Sequence, residues 1–246
     1  MKNKILNTIL DNIKTIFYAL VIAIFIRSFF FQPFYIPSSS MEPNLLVGDR
    51  IFVSKYSYGY SKHSFPFSPP VFKKRIFFEE PHYGDLIVFK TPQDNRTDYI
   101  KRLIGLPGDT IQFVDGKIKI NDKMIKREKI NSSNKVRCGS QIHEVNYFKE
   151  ILPNGITYNA AYNKYGTMKN SDKYTVPKDH YFFLGDNRDC SKDSRFLSSV
   201  GYVSKLNLVG RARIIFFSND SFKGSFFKFW NWPNSLRTER FFKRLR

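Results

Sequence analysis

Near its amino end the chain carries an apolar run, Thr15 to Ile26, and no other feature narrows the possible folds as much. The run is uncharged for about 12 residues, against the about 20 needed to cross a bilayer. Arg27 and Ser28 interrupt it, Phe29-Phe30-Phe31 resume it, and Lys2, Lys4 and Lys14 precede it. A segment apolar on every side is a poor fit for the edge of a soluble core. Two readings stay open on these residues. One is a cleaved signal peptide, with a basic start, an apolar middle and the small residues Ser38-Ser39-Ser40. The other is a retained signal-anchor helix over residues 15–34, with Arg27 snorkelling toward an interface and residues 1–14 as a cytoplasmic tail.

Beyond Pro43 the pattern changes to short strands divided by turns. Phe alone contributes 26 residues, and aromatic side chains make up 17% of the chain, which favours a mainly β body. Arg50 to Val53, Asp85 to Phe89, Tyr99 to Ile104, Thr110 to Val114 and Lys117 to Ile120 read as strands, as do Tyr181 to Leu184 and Ala212 to Phe217. Asp115-Gly116 between two of them is a hairpin signal. Tyr56 to Pro81, rich in Tyr, Ser, Phe and Pro, reads as a long extended loop or hairpin. Residues 35–120 and 177–220 are expected to form a β-rich core, and the polar, weakly patterned 121–176 an inserted smaller subdomain. The basic, aromatic tail, 221–246, fits either an amphipathic element on a membrane surface or a terminus packed on its own domain.

Lys and Arg number 40 against 21 Asp and Glu, a net charge of +19, so the natural partners are anionic. The basic residues are spread out and no nucleic-acid fold motif occurs, which points to acidic lipid surfaces rather than nucleic acid. The two cysteines, Cys138 and Cys190, match no zinc spacing and no C-x-x-C motif. Free thiols and a single disulfide both stay open.

Three clusters carry candidate chemistry. In Ile36-Pro37-Ser38-Ser39-Ser40-Met41-Glu42-Pro43 each proline disfavours helical geometry in the residue before it, so the stretch is expected to be stiff and extended or turned, with Ser38 and Ser40 on one side. In Asp98-Tyr99-Ile100-Lys101-Arg102-Leu103-Ile104 a lysine stands inside an apolar strand, sharing a face with Tyr99 and Leu103 while Arg102 points away. Burial there lowers an amine's pKa from about 10.4, as a general base for a serine hydroxyl requires. The charged run from Gly185 to Arg195 lacks the glycine and distal glutamate of an EF-hand and is uninformative alone.

In combination they are specific. Ser-x-Ser-Met-x-Pro after an apolar segment, Gly84 to Phe89, Tyr-Ile-Lys-Arg with Gly-Leu-Pro-Gly-Asp, and Gly-Asp-Asn-Arg-Asp-x-Ser-x-Asp-Ser-Arg follow one another in that order. The chain resembles bacterial type I signal peptidases, the membrane-bound serine endopeptidases that remove signal peptides from exported preproteins after small residues. The matching boxes run from about Phe34 to Phe113 and from about Tyr181 to Phe216, roughly half of the chain; Met124 to Val176 adds no motif.

The resemblance implies a β-rich catalytic core with an inserted cap, Ser40 as nucleophile and Lys101 as base. Ser38 matches the side-chain donor to the oxyanion, acting with the Ser40 N–H. Ser191 matches the hydroxyl that orients the lysine, and Asp193 a structural acid paired with Arg195 or Arg102. Phe34, Ile36, Pro37, Met41, Leu45, Val88, Tyr99 and Ile100 match the walls of shallow pockets for Ala, Gly or Ser. Ser39 and Cys190 depart from the commonest pattern, which has glycine and asparagine there. The resemblance also favours the retained anchor, since a cut at the serine run would sever the nucleophile from it. It implies one pass through the bacterial inner (plasma) membrane, the catalytic domain outside, phospholipid contact, no metal and no cofactor. Three alternatives remain in view: a Ser-Lys peptidase with one specialised substrate, a Ser-His-Asp hydrolase using one of His63, His82, His143 and His180, and a basic membrane-tethered binding protein.

Overall fold

The structure, a computed structural model, describes residues 2–70, 73–139, 141–220, 230 and 232–245. Helix α1 (Lys2–Phe29) is followed by β1 (Phe31–Tyr35), β2 (Asp49–Ser54), β3 (Leu86–Lys90), β4 (Asp98–Gly105), β5 (Thr110–Val114), β6 (Lys117–Ile120) and β7 (Lys123–Met124). Next come β8 (Lys126–Cys138), β9 (Gln141–Ile151), β10 (Thr157–Asn163), β11 (Tyr174–Thr175), β12 (His180–Leu184), β13 (Val203–Ser204), β14 (Leu208–Ser218), α2 (Trp232–Ser235) and β15 (Lys243–Arg244). The fold is mainly β with one long amino-terminal helix, as expected.

The helix departs from the expected 15–34 segment at both ends. It begins at Lys2, and the stretch Leu6–Phe29 is long and apolar enough to cross a membrane. At about 1.5 Å per residue, 24 residues extend roughly 36 Å, more than a bilayer's apolar thickness of about 30 Å. Its large apolar side chains are exposed, Ile16, Phe17 and Tyr18 at about 60%. The helix stops at Phe29 because the next residues are claimed by a sheet: Phe31 pairs with Ser54 and Phe34 with Ile51. Pro33 is tolerated there because β1 lies at the sheet's edge, where a missing N–H costs no ladder bond.

Eight strands form one antiparallel sheet in the order β1-β2-β14-β3-β4-β12-β13, with β15 on β14. A four-stranded sheet runs β11-β5-β6-β7, and β10-β9-β8 makes a third. The Asp115-Gly116 turn joins β5 to β6, both residues having positive φ, as a two-residue hairpin turn demands. Residues 56–64 form short 3-10 turns, and one antiparallel bridge, Tyr60 to Ile76, closes the loop.

The expected divide at 120/121 runs through a sheet. β7 and β11 pair with β6 and β5 across it, and Ile125, Leu152 and Tyr158 share one core with Ile111, Phe113 and Phe182. Among the described residues a small separate cluster, Val136, Val145 and Ala161, lies wholly within 121–176. Its outermost part is the long β8–β9 hairpin, where Val145 is buried and most other β9 residues are not. The described part of the tail packs on the domain: β15 pairs with Ile214 and Ile215, and Arg240 pairs with the buried Asp49. Residues 221–229, on which much of the amphipathic alternative falls, lie outside the described residues.

Candidate active site

Ser40 is held by the chain leaving β1. Ile36 still pairs with the start of β2, its N–H donating to Asp49 O at 2.9 Å, and Ser38 keeps extended geometry at φ −127° and ψ 155°. The backbone then turns through a 3-10 turn, Ser39–Met41, so the serine run is extended only in its first half. Met41 anchors that turn in the core with Ile36 and Leu45. The outcome brings the Ser38 and Ser40 hydroxyl oxygens within 3.3 Å.

Lys101 lies in β4 opposite Ile87 of β3 and is 4% exposed. Its Nζ donates to Ser40 Oγ at 2.6 Å and sits 5.4 Å from the Tyr99 ring centroid, the neighbour that strand alternation assigns to it. Burial pushes the Lys101 amine down to about 8, against the upward pull of Asp193 and Asp186, and Arg195 pushes it further down. At pH 7 about a tenth of such amines are neutral, and only then can one take a proton.

Beneath the pair lies a layer of buried ion pairs from the loop after β12. Asp193 is fully buried and pairs with Arg195 at 2.8 and 2.9 Å, and the Gly185 N–H donates to it at 2.9 Å. Burial pushes the Asp193 carboxyl up, but Arg195 and the Gly185 amide outweigh it and hold the group below its ordinary value. Arg102 takes a different partner, Asp186, through two bonds of 2.7 Å, with Gly84 O accepting a third at 2.8 Å. Of the two arginines expected beside Asp193, Arg195 is the one found there.

Ser191 lies close to this pair. Its hydroxyl is buried beside the Asp193 carboxyl, which it helps to hold down, and makes no hydrogen bond to Lys101. It is nevertheless next to the nucleophile's backbone. A Cβ on Gly185 would lie 2.2 Å from Ser191 Oγ and 2.6 Å from Ser40 O, so only glycine allows the two segments to meet there. The Asn187 N–H donates to the same Ser40 carbonyl at 3.1 Å.

The open cysteine question is resolved by a disulfide between Cys138 and Cys190, with Cα atoms 5.6 Å apart. It ties the end of β8 to the residue before Ser191 across 52 positions of sequence. A second tie, invisible in the sequence, is the buried pair of Arg188 with Glu150 of β9, 2.7 Å apart, to which Tyr158 and Tyr162 also donate. Opening the disulfide is expected to cost about 2–4 kcal/mol, mainly by freeing the unfolded chain. Thermal unfolding with and without reductant checks this; a Tm indifferent to reductant would contradict it.

A cleft of about 420 Å³ runs past Ser40 and Lys101. Phe34, Ile36, Pro37, Met41, Val88, Tyr99 and Ile100 line it, together with Ser38. Leu45 does not: it is fully buried beneath Met41 and Ile36, supporting the wall from behind. Tyr35, Ile51, Thr97, Asp98, Cys190 and Lys192 complete the lining and were not foreseen. Tyr35 is recoverable in principle, since it lies between Phe34 and Ile36 in sequence; the others depend on how distant segments meet. None of the four histidines is among the lining residues.

A family model described as signal peptidase, peptidase S26, matches residues 9–217. The signal peptidase I of Rickettsia massiliae (strain Mtu5) is 42% identical over 252 residues, covering 93% of this chain and 90% of that protein. That of Rickettsia typhi (strain ATCC VR-144 / Wilmington) is 41% identical over 261 residues, covering 97% and 94%. The crystal structure of a signal peptidase I from Enterococcus faecalis V583 matches at 26% identity and a TM-score of 0.33, covering 54% of this chain and 97% of that one.

Proposed function

The chain belongs to the signal peptidase family, peptidase S26, and we propose that it cuts exported preproteins after small residues by a Ser40–Lys101 dyad while anchored in a membrane by α1. Family membership makes it a serine endopeptidase that removes signal peptides. The observation that carries the finer reading is the 2.6 Å contact between Ser40 Oγ and the buried Lys101 Nζ at the floor of an apolar cleft.

In this reading neutral Lys101 takes the Ser40 proton as Oγ attacks the scissile carbonyl carbon. The carbonyl electrons move to oxygen, where the Ser38 hydroxyl and the Ser40 N–H stabilise the charge. Collapse of that intermediate expels the amine, which receives the proton from Lys101, and leaves an acyl-enzyme on Ser40. Water, deprotonated by the same amine, then releases the new carboxyl end. Ser191 and Asp193 act by position: the first fills the space against Gly185, the second balances Arg195 below the amine. Val88, Ile100 and Met41 leave shallow space beside Ser40, which supports a preference for Ala, Gly or Ser. The amino-terminal lysines favour a single pass with the amino end cytoplasmic and the catalytic domain outside.

The test is cleavage of a preprotein with an Ala-x-Ala site by the full chain in liposomes, the cut mapped by mass spectrometry. Cleavage directly after the second Ala is expected, with at least a tenfold loss when that residue becomes Leu, about what 1.4 kcal/mol of lost transition-state binding gives. Equal cleavage after Leu would overturn the pocket assignment. A specialised peptidase would process one preprotein in a mixed panel and leave the rest.

A further inference from the structure

A second cavity, about 490 Å³, opens beside the cleft, with Phe34 and Asp98 lining both. Its walls come from the last turn of α1, the edge strand β1, the segment 55–68 and the loop between β3 and β4. Arg27, Lys55, Lys62, Lys90 and Arg96 bring five cationic side chains to it, against the carboxylates of Asp94 and Asp98. Both carboxylates are already engaged. Asp98 pairs with Lys90 at 2.9 Å, and Asp94 accepts from the hydroxyls of Thr91 and Thr97 and the N–H groups of Arg96 and Thr97.

Lys55 is the unusual member. It is 2% exposed, and its ammonium donates to the carbonyls of His63 and Ser64 at 3.4 and 3.1 Å. An ammonium has three N–H groups, so one is left over. Among the described residues no carboxylate lies within ion-pair distance of it, and burial pushes its amine down to about 8, with Asp98 pulling it back up. A buried cation without a counter-ion is costly, and a bound anion removes the cost. His63, 4% exposed, lines the same cavity: its Nδ1 meets Ser68 Oγ at 3.1 Å, and its Nε2 is buried with no partner. Two buried polar groups with unused hydrogen-bonding capacity thus border one cationic cavity.

The cavity's place in the fold selects the anion. Arg27 ends a helix long and apolar enough to cross a membrane, so the cavity sits where that helix emerges. The Phe65 ring packs edge-on against Phe29 at 5.4 Å, and Phe67, on the rim, is fully exposed. An exposed phenylalanine at a helix exit has an apolar refuge at the boundary between acyl chains and headgroups.

We propose that this cavity binds the phosphate of an anionic phospholipid headgroup and thereby fixes the height of the substrate cleft above the bilayer. The phosphate oxygens accept from Lys55 and His63, with Arg27 and Lys62 closing over them in charge-assisted bonds. The acyl chains continue down the exposed apolar surface of α1. Because Phe34 is shared, a headgroup in the cavity holds the cleft wall at the interface. The inference rests on α1 being the membrane anchor, but not on the chemistry of Ser40 and Lys101.

The test uses the full chain in a nonionic detergent, titrated with monomeric dihexanoylphosphatidylglycerol and followed by thermal unfolding. A saturable rise in Tm is expected, much smaller with dihexanoylphosphatidylcholine or inorganic phosphate. The pair Arg27→Gln with Lys62→Gln should weaken the apparent Kd about tenfold or more, a loss of roughly 1.4 kcal/mol. Lys55→Gln should remove saturation; should that variant fail to fold, the Arg27 and Lys62 pair still decides. Lys117→Gln with Lys123→Gln, on the exposed β6–β7 edge, should change the Kd less than about twofold, as weak surface electrostatics predict. An equal loss in both pairs would mean general attraction to a basic protein and overturn the site. Phosphate binding as tightly as the lipid would make it a free-anion site and overturn the headgroup assignment. Proteolysis is not the readout, so a chain that binds the lipid but cleaves nothing sinks the peptidase reading alone.

Discussion

Ser40→Ala and Lys101→Ala are each expected to lower kcat/KM for preprotein cleavage by about 10⁴-fold or more, with Tm nearly unchanged. Residues that act as one unit in acyl transfer lose nearly everything when either is removed, and the double variant should be scarcely worse than each single one. The proposed pairing rests on direct contact. Ser40 is 7% exposed, its Oγ meets Lys101 Nζ at 2.6 Å, and no histidine lines the cleft. The same contact fixes the pH dependence. The proposed base works only when neutral, and burial pushes its pKa down to about 8. Below that value kcat/KM should fall about tenfold per pH unit, and above it level off. Lys101→Arg, protonated at every accessible pH, should be inactive throughout. A wild-type acidic limb centred near 6.5, the value of an ordinary histidine, would refute the assignment. So would a Lys101→Ala variant that keeps its rate.

How the sequence revealed Ser40 and Lys101 differs from how it revealed the rest. Neither was informative alone, since a serine after an apolar segment and a lysine in a strand both have ordinary explanations. Four ordered boxes made them legible, and the structure brings the two residues together across 61 positions. Strands with strong apolar alternation or a clear turn, such as β3 and the β5–β6 hairpin, were found close to their true limits. The β8–β9 ribbon was not, because both of its faces are largely polar and period-2 alternation needs one face buried. Partner choice is likewise out of reach: whether Asp193 faces Arg195 or Arg102 depends on how the loop after β12 folds against β4, and whether Cys138 reaches Cys190 and Glu150 meets Arg188 on how the β8–β10 unit lies against that loop. Leu45 is assigned to the cleft wall by the family resemblance alone, and the 3-10 turn places it in the core behind Met41 and Ile36.

Arg102→Met should be the most damaging change outside the dyad, costing about 3–5 kcal/mol of stability, because it strips a buried carboxylate of its counter-ion. Asp186 is 0% exposed and takes two bonds from Arg102; Asn44 Nδ2 adds one more at 2.7 Å and cannot replace a charge. Arg102 also donates to Gly84 O and stacks its guanidinium 4.3 Å from the Tyr158 ring centroid, so the side chain joins β4, the turn before β3 and β10. The charge term and the packing term can be separated by a double variant. With Asp186→Asn added no unpaired buried anion is left at this site, so the double variant should be more stable than Arg102→Met alone by at least about 1 kcal/mol, a non-additivity that a double-mutant cycle reads directly. If the double variant is less stable than the single one, packing rather than charge carries the effect. The active site supplies an independent readout. Asp186 is one of two carboxylates that pull the Lys101 amine upward. Asp186→Asn should therefore move the acidic limb of the pH–rate profile to lower pH, in whatever fraction of the enzyme remains folded. A limb that stays in place would mean that the Asp186 charge does not reach the lysine, and that the Arg102–Asp186 pair serves the fold alone.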